Sequence, residues 1–195
     1  MKNRIITLSA VAVSAVSAVS ACSDGPATAP GHSSHDVQPR NSASVVALNN
    51  RDLALIRQAT SPYLQINSAL VDGFQQMSPC VSSQLGRGGM GFHYGIPARM
   101  FDDVIDPANP ELLNYEPQKD GSMRLGAVEY FVAQDAWDAT HSEPPSIGGR
   151  EFDFVPLGAV PGLPAHYSLH IWVWRNNPSG MFELFNPKVS CDPNA

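Results

Sequence analysis

The chain is poor in basic residues, in cysteine and in recognisable catalytic signatures, and each shortage removes a class of function. Lys and Arg number 12 against 18 Asp and Glu, a net charge of -6, which argues against a nucleic-acid partner and against an electrostatic hold on anionic lipid. No G-x-S-x-G stretch is present, so a serine hydrolase of the elbow type has no visible nucleophile. The one apolar run, Ile5 to Val19, is too short and too diluted by serine to span a bilayer permanently. No internal repeat is seen.

What is there begins with an address. Lys2 and Arg4 precede that apolar run, and Val19-Ser20-Ala21-Cys22 follows it as a lipoprotein cleavage box does, with small residues before the cut and a cysteine to carry the lipid. Residues 1–21 read as a lipoprotein signal peptide and Cys22 as the lipidated first residue of an exported, membrane-anchored protein facing periplasm or cell surface. Cleavage would remove two positive charges and no acid, taking the charge from -6 to -8. Ordinary secretion, with Cys22 a free thiol, is the alternative. Of the three cysteines, Cys80 and Cys191 then remain, and an oxidising compartment favours pairing them. The bridge would close a loop of roughly 110 residues and contribute about 4 to 5 kcal/mol in the chain-entropy model.

Residues 22–47 are rich in Ser, Ala, Pro, Gly and His and read as a disordered tether, with His32 and His35 as linker histidines. Residues 48–195 form one domain, long enough to bury a core. Its first part has a helical apolar period through Leu53, Ile56, Tyr63, Leu64, Leu70, Val71 and Phe74, interrupted at Ser61-Pro62. Two short helices fit, the first capped by Asn50, the second begun at Ser61-Pro62 and ended at Gly73. Short β-rich runs follow at Phe92 to Ile96, Leu112 to Tyr115, Met123 to Ala133, Glu151 to Val155 and His166 to Arg175, separated by Pro, Gly, Asp and Asn. The class expected is α+β: two short N-terminal helices packed on a mainly antiparallel sheet that could curl into a small barrel.

Several stretches carry a resemblance. They are Gly89-Met90-Gly91-Phe92-His93-Tyr94, Pro110-Glu111-Leu112-Leu113 with Tyr115-Glu116-Pro117, Val128-Glu129-Tyr130, and His166-Tyr167-Ser168-Leu169-His170-Ile171-Trp172-Val173-Trp174 with Asn177-Pro178-Ser179-Gly180-Met181-Phe182 and Asn186-Pro187. Together they resemble a group of exported bacterial proteins, across about Ala59 to Cys191. The resemblance implies no activity, because none is attached to that group.

Chemistry is therefore sought in the strands. Alternation along His166 to Arg175 puts Tyr167, Leu169, Ile171 and Val173 on one face, and His166, Ser168, His170, Trp172 and Trp174 on the other. In Met123 to Ala133 the same rule groups Glu129 with Leu125, Ala127 and Phe131, where a lone carboxylate needs a partner. His93 shares its face with Gly91 and Gly95, leaving room for close approach. His93, Glu129 and His170 thus make a candidate site for one divalent transition metal (zinc, iron, manganese or copper) or a small ligand, with turnover undecided. His166, four residues from His170 and so about 13 Å away on a strand, is placed at the rim with Tyr94 and Trp172. Met90 and Met181 could add soft copper ligands. Two other readings stay open: a hydrogen-bonded His170–Glu129 pair that only holds strands together, and a metal-free acid-base pocket.

Gly86 to Gly91 matches G-x-G-x-x-G, but no strand precedes it and a strand-like run follows. Asp102, Asp103 and Asp106 lack calcium-loop spacing and read as a solvated loop. His141 sits in a polar, solvent-facing loop. Asn177 to Gly180 forms a turn that returns Met181, Phe182, Leu184 and Phe185 to the core. Trp172 and Trp174 could instead stack sugar rings or another envelope component in a non-enzymatic module, and a purely structural envelope lipoprotein is the third possibility. Oligomeric state is not legible.

Overall fold

The computed structural model describes residues 48–192 and 194. The stretches read from sequence as a signal peptide, the lipidated Cys22 and a tether lie outside the described residues. Helix α1 (Asn50–Thr60) is capped one residue earlier than expected: Asn49 Oδ1 accepts the Asp52 N–H at 2.9 Å, and Asp52 adds negative charge to the first turn. A 3-10 turn over Ser61–Leu64 carries Pro62 near its start, and α2 runs only from Ile66 to Val71. Gly73, at φ +94°, then stops the helical region in the left-handed conformation that glycine tolerates.

The strands are β1 (Gln75–Gln76), β2 (Val81–Ser82), β3 (Gly89–Gly95), β4 (Leu112–Pro117) and β5 (Met123–Ala133), with a short helix α3 (Pro97–Met100) between β3 and β4. After helix α4 (Gln134–Asp138) come β6 (Ser146–Ile147), β7 (Arg150–Glu151), β8 (Asp153–Val155) and β9 (His166–Ile171). The main sheet is antiparallel throughout in the order β1-β3-β4-β5-β9-β8, β2 also pairs with β3, and β6 pairs with β7 separately. The α+β class holds, but the sheet is open. Its edges are strands of two or three residues, and among the described residues they do not pair with each other to close a barrel. No helix among the described residues is long and apolar enough to cross a membrane.

The helices cover one face of the sheet. Ile56, Ala69 and Phe74 pack there with Leu113, Tyr115, Leu125, Val128, Tyr130, Leu169 and Ile171, and burying a side chain such as Ile56 or Phe74 contributes about 1.5–3 kcal/mol. The opposite face carries two small apolar groups, Met100–Leu112–Phe131 and Ala127–Trp172–Val189. The Cys80–Cys191 disulfide is present, with Cα atoms 5.6 Å apart.

A bulge corrects the simple alternation. Asn114 pairs with Ala127 but Tyr115 pairs with Leu125, so Gly126 is the extra residue and side-chain parity flips across it. Leu125 therefore faces the helices and not Glu129. A Cβ on Gly126 would sit 3.1 Å from Trp172 Cζ3, and its carbonyl accepts both the Trp174 and Arg175 N–H groups, each at 3.0 Å. The last strand consequently ends at Ile171 and not at Arg175. Freed from the ladder, Trp174 turns to the helix side, where its Nε1 donates to Thr60 Oγ1 at 3.0 Å. The expected Glu151–Val155 strand is likewise broken, because Phe152 bonds to the Pro145 carbonyl and buries its ring in the helix-side core. Leu184 does not return to the core and stays exposed.

Candidate metal centre

His93, Glu129 and His170 project from β3, β5 and β9 on the face away from the helices. Glu129 lies directly opposite His170, while Leu112 and then Gly95 continue the same row across the sheet. His93 lies in the adjacent row, opposite Asn114, and reaches Glu129 on the diagonal over β4. Glu129 Oε2 is 3.2 Å from His170 Nε2 and 3.5 Å from His93 Nε2. One donor atom from each residue lies within 4.8 Å of the other two, and the group could hold a metal ion. Ligands at the usual 2.0–2.2 Å around a tetrahedral ion stand about 3.3 Å apart, close to the two carboxylate–imidazole distances here.

Burial sets the charge state. It lowers the pKa of His93 to about 4 and raises that of Glu129 to about 8. His170 falls to about 3, through burial first and its neighbour His93 second. Near pH 7 the ion-free cluster is thus a carboxylic acid between two neutral imidazoles. The Asn114 amide approaches Glu129 and partly opposes the rise, yet neither of its polar atoms makes a well-aligned hydrogen bond. His170 is the more telling case. Neither ring nitrogen has a hydrogen-bond partner, although Nε2 is so near the carboxylate. A hydrogen-bonded His170–Glu129 pair is therefore not what the side chains form: Nε2 is close but not aligned, as donors converging on a shared point would be.

His93 is oriented differently. Its Nδ1 is 2.9 Å from Ser78 Oγ, which donates its single proton to the Pro79 carbonyl at 2.8 Å and also accepts the His93 backbone N–H at 3.3 Å. When the Ser78 proton goes to Pro79, Oγ accepts from an Nδ1–H, and that tautomer leaves the His93 lone pair on Nε2, facing Glu129.

The remaining candidates separate. His166 is on the same face but stacks on Phe131 at 4.3 Å between centroids and donates from Nδ1 to the Pro164 carbonyl at 2.8 Å. Tyr94 points the other way, edge-on to Tyr115 in the helix-side core, so it does not rim the site. Trp172 is buried beside Ala127 and Val189 with its Nε1 on the Glu183 carbonyl, and Trp174 is on the opposite side, so the two indoles offer no shared stacking surface. Met181 packs on the helix side. The space expected at Gly91 and Gly95 is filled by the protein itself: a Cβ on Gly91 would clash with the Tyr115 carbonyl, and one on Gly95 would meet Leu112 at 3.0 Å and Met77 at 3.1 Å. Asp102 and Asp106 accept N–H bonds from Val104 and Ala108, and Asp103 accepts the Thr140 hydroxyl. His141 is exposed and stacks on Trp137.

Ser78 and Asn114 are the neighbours that sequence reasoning missed. Asn114 had a signal, a polar residue at a facing position within Leu-Leu-Asn-Tyr; Ser78, in a loop, had none. No family model, curated protein or solved structure matches the chain.

Proposed function

We propose that this chain is an exported, lipid-anchored domain that binds one divalent transition-metal ion through His93 Nε2, His170 Nε2 and the Glu129 carboxylate. The observation that carries it is the convergence of three donors, Glu129 and His170 buried and His93 partly so, of which His170 Nε2 has no hydrogen bond to lose. Two imidazoles and one carboxylate suit zinc, iron, manganese or copper, and three protein ligands leave a position for water or another small ligand. A dication on one carboxylate leaves the buried centre positive, which favours an anionic or strongly polar fourth ligand. Export is supported by the signal-like N-terminus and by the disulfide, which is typical of oxidising compartments. The reading is of binding, and it assigns no turnover.

Elemental analysis of the purified full chain, before and after reconstitution with zinc and with iron, tests it. The expected result is about one ion per chain, lost in His170→Leu. Uptake that stays well below one ion after reconstitution would instead favour the metal-free arrangement, with protonated Glu129 sharing its hydrogen with an imidazole.

A further inference from the structure

Building on the metal assignment, we infer that the Cys80–Cys191 disulfide positions the ligand His93 through Ser78, so that breaking the disulfide weakens metal binding. Strands β1 and β2 both pair with the same edge of β3, Gln76 opposite Tyr94 and Val81 opposite Gly91. Between them the chain leaves the ladder over Met77 to Cys80. The Met77 N–H still reaches the His93 carbonyl at 2.7 Å, but the His93 N–H, which an unbroken strand would meet with a carbonyl, is taken by Ser78 Oγ. Pro79 has no N–H and keeps its predecessor extended, so this excursion cannot relax into a regular strand. The side chain that touches both His93 Nδ1 and the His93 backbone N–H thus belongs to a short interruption of an edge.

The interruption is weakly held on its own. Its far side is the two-residue strand β2, whose register shifts between Val81 and Ser82. The segment on the other end of the disulfide is held firmly. Asn186 is fully buried and exchanges both backbone hydrogen bonds with Gly89, at 3.0 and 3.1 Å, and Val189 packs on Ala127 and Trp172. The disulfide fastens the loose excursion to this fixed segment, and both cysteines are half-buried, within reach of a reductant. A dithiol would supply two electrons and two protons: the S–S bond breaks, Cys80 and Cys191 become thiols, and the dithiol closes to a cyclic disulfide. Cys80 then no longer fixes the position of Ser78, and Nε2 of His93 is no longer aimed at Glu129.

Zinc alone is the probe, with affinity measured by chelator competition on the full chain, and fold followed by near-ultraviolet circular dichroism. Reduction, the Cys80→Ser/Cys191→Ser double variant and Ser78→Ala should each weaken zinc binding about 10- to 100-fold, the range for loss of a ligand's orienting partner. Ser78→Thr, which keeps the hydroxyl, should restore most of it, and reduction should weaken Ser78→Ala little further. Equal zinc affinity in oxidised and reduced folded protein overturns the inference, as do fully multiplicative effects of reduction and Ser78→Ala. If reduction unfolds the domain, Ser78→Ala with the disulfide intact decides, and unchanged affinity there overturns it. Failure of the oxidised wild type to bind zinc, and iron, manganese and copper as well, would instead reject the metal assignment itself.

Discussion

The helix face of the sheet and the His170 cluster on the other face treat buried polar groups in opposite ways. On the helix side the large aromatic polar groups are capped: Tyr115 donates to the Tyr63 carbonyl at 2.6 Å, Tyr130 to the Pro107 carbonyl at 2.7 Å and Trp174 to Thr60 at 3.0 Å. On the other face His170 has two buried nitrogens without partners, and Asn114 has two such amide atoms. A buried polar atom left unpaired costs about 1–3 kcal/mol. The same strands β4, β5 and β9 furnish both faces, so the difference is one of side-chain choice and not of backbone quality. A face that tolerates such a cost at one cluster holds it there for something other than stability.

Zinc binding offers the sharpest way to break this contrast. His170→Leu should raise the zinc dissociation constant by more than roughly 100-fold, beyond the loss expected for an orienting partner alone. In the ion-free protein the same change should leave the melting temperature unchanged or raise it, because two unpaired nitrogens are replaced by apolar surface. On the helix face Ile56→Ala should behave oppositely, costing about 2–5 kcal/mol in urea unfolding while leaving zinc affinity intact. A marked loss of ion-free stability in His170→Leu would mean that both faces are ordinary core.

The pH dependence of ion-free stability should differ in sign between the two kinds of buried group. Glu129 and Glu111 are both raised by burial to about 8, so the folded state keeps protons that the unfolded chain gives up above an ordinary value of 4.5. Their contribution is present below pH 4.5 and is lost as pH rises to 8. His93 and His170, lowered to about 4 and about 3, work the other way, adding stability as pH climbs to their ordinary 6.5. The two effects oppose each other between 4.5 and 6.5; above 6.5 only the acids act, and thermal stability should fall towards pH 8. Glu129→Leu should remove part of that fall, and a flat profile in the wild type would contradict the buried-acid picture. The smallest effect is Tyr130→Phe, which leaves the Pro107 carbonyl without its donor and should cost about 0.5–1.5 kcal/mol in thermal unfolding.

Much of this was legible because period and composition were undisturbed. The limits of β5 and the disulfide were readable from alternation and cysteine count, and the three site residues follow from parity on strands that stay regular between Ala127 and Ala133 and between His166 and Ile171. Legibility fails where the backbone inserts a residue. The Gly126 bulge reversed Leu125, and the end of the β9 ladder at Ile171 sent Trp174 to the helix side; a lone glycine in a strand hints at a bulge but does not date the flip. Ser78 was hidden for another reason. Its role comes from a loop excursion whose position depends on tertiary pairing with β3 and on a cysteine more than a hundred residues away.

The most direct measurement is zinc K-edge X-ray absorption on the zinc-loaded full chain. Two imidazole nitrogens near 2.0–2.1 Å, with the multiple scattering of histidine rings, plus oxygen ligands near 2.0–2.2 Å, are expected, and His170→Leu should lose one imidazole. A first shell containing sulfur near 2.3 Å, or lacking histidine scattering, would contradict the assignment of His93, Glu129 and His170 as the metal centre.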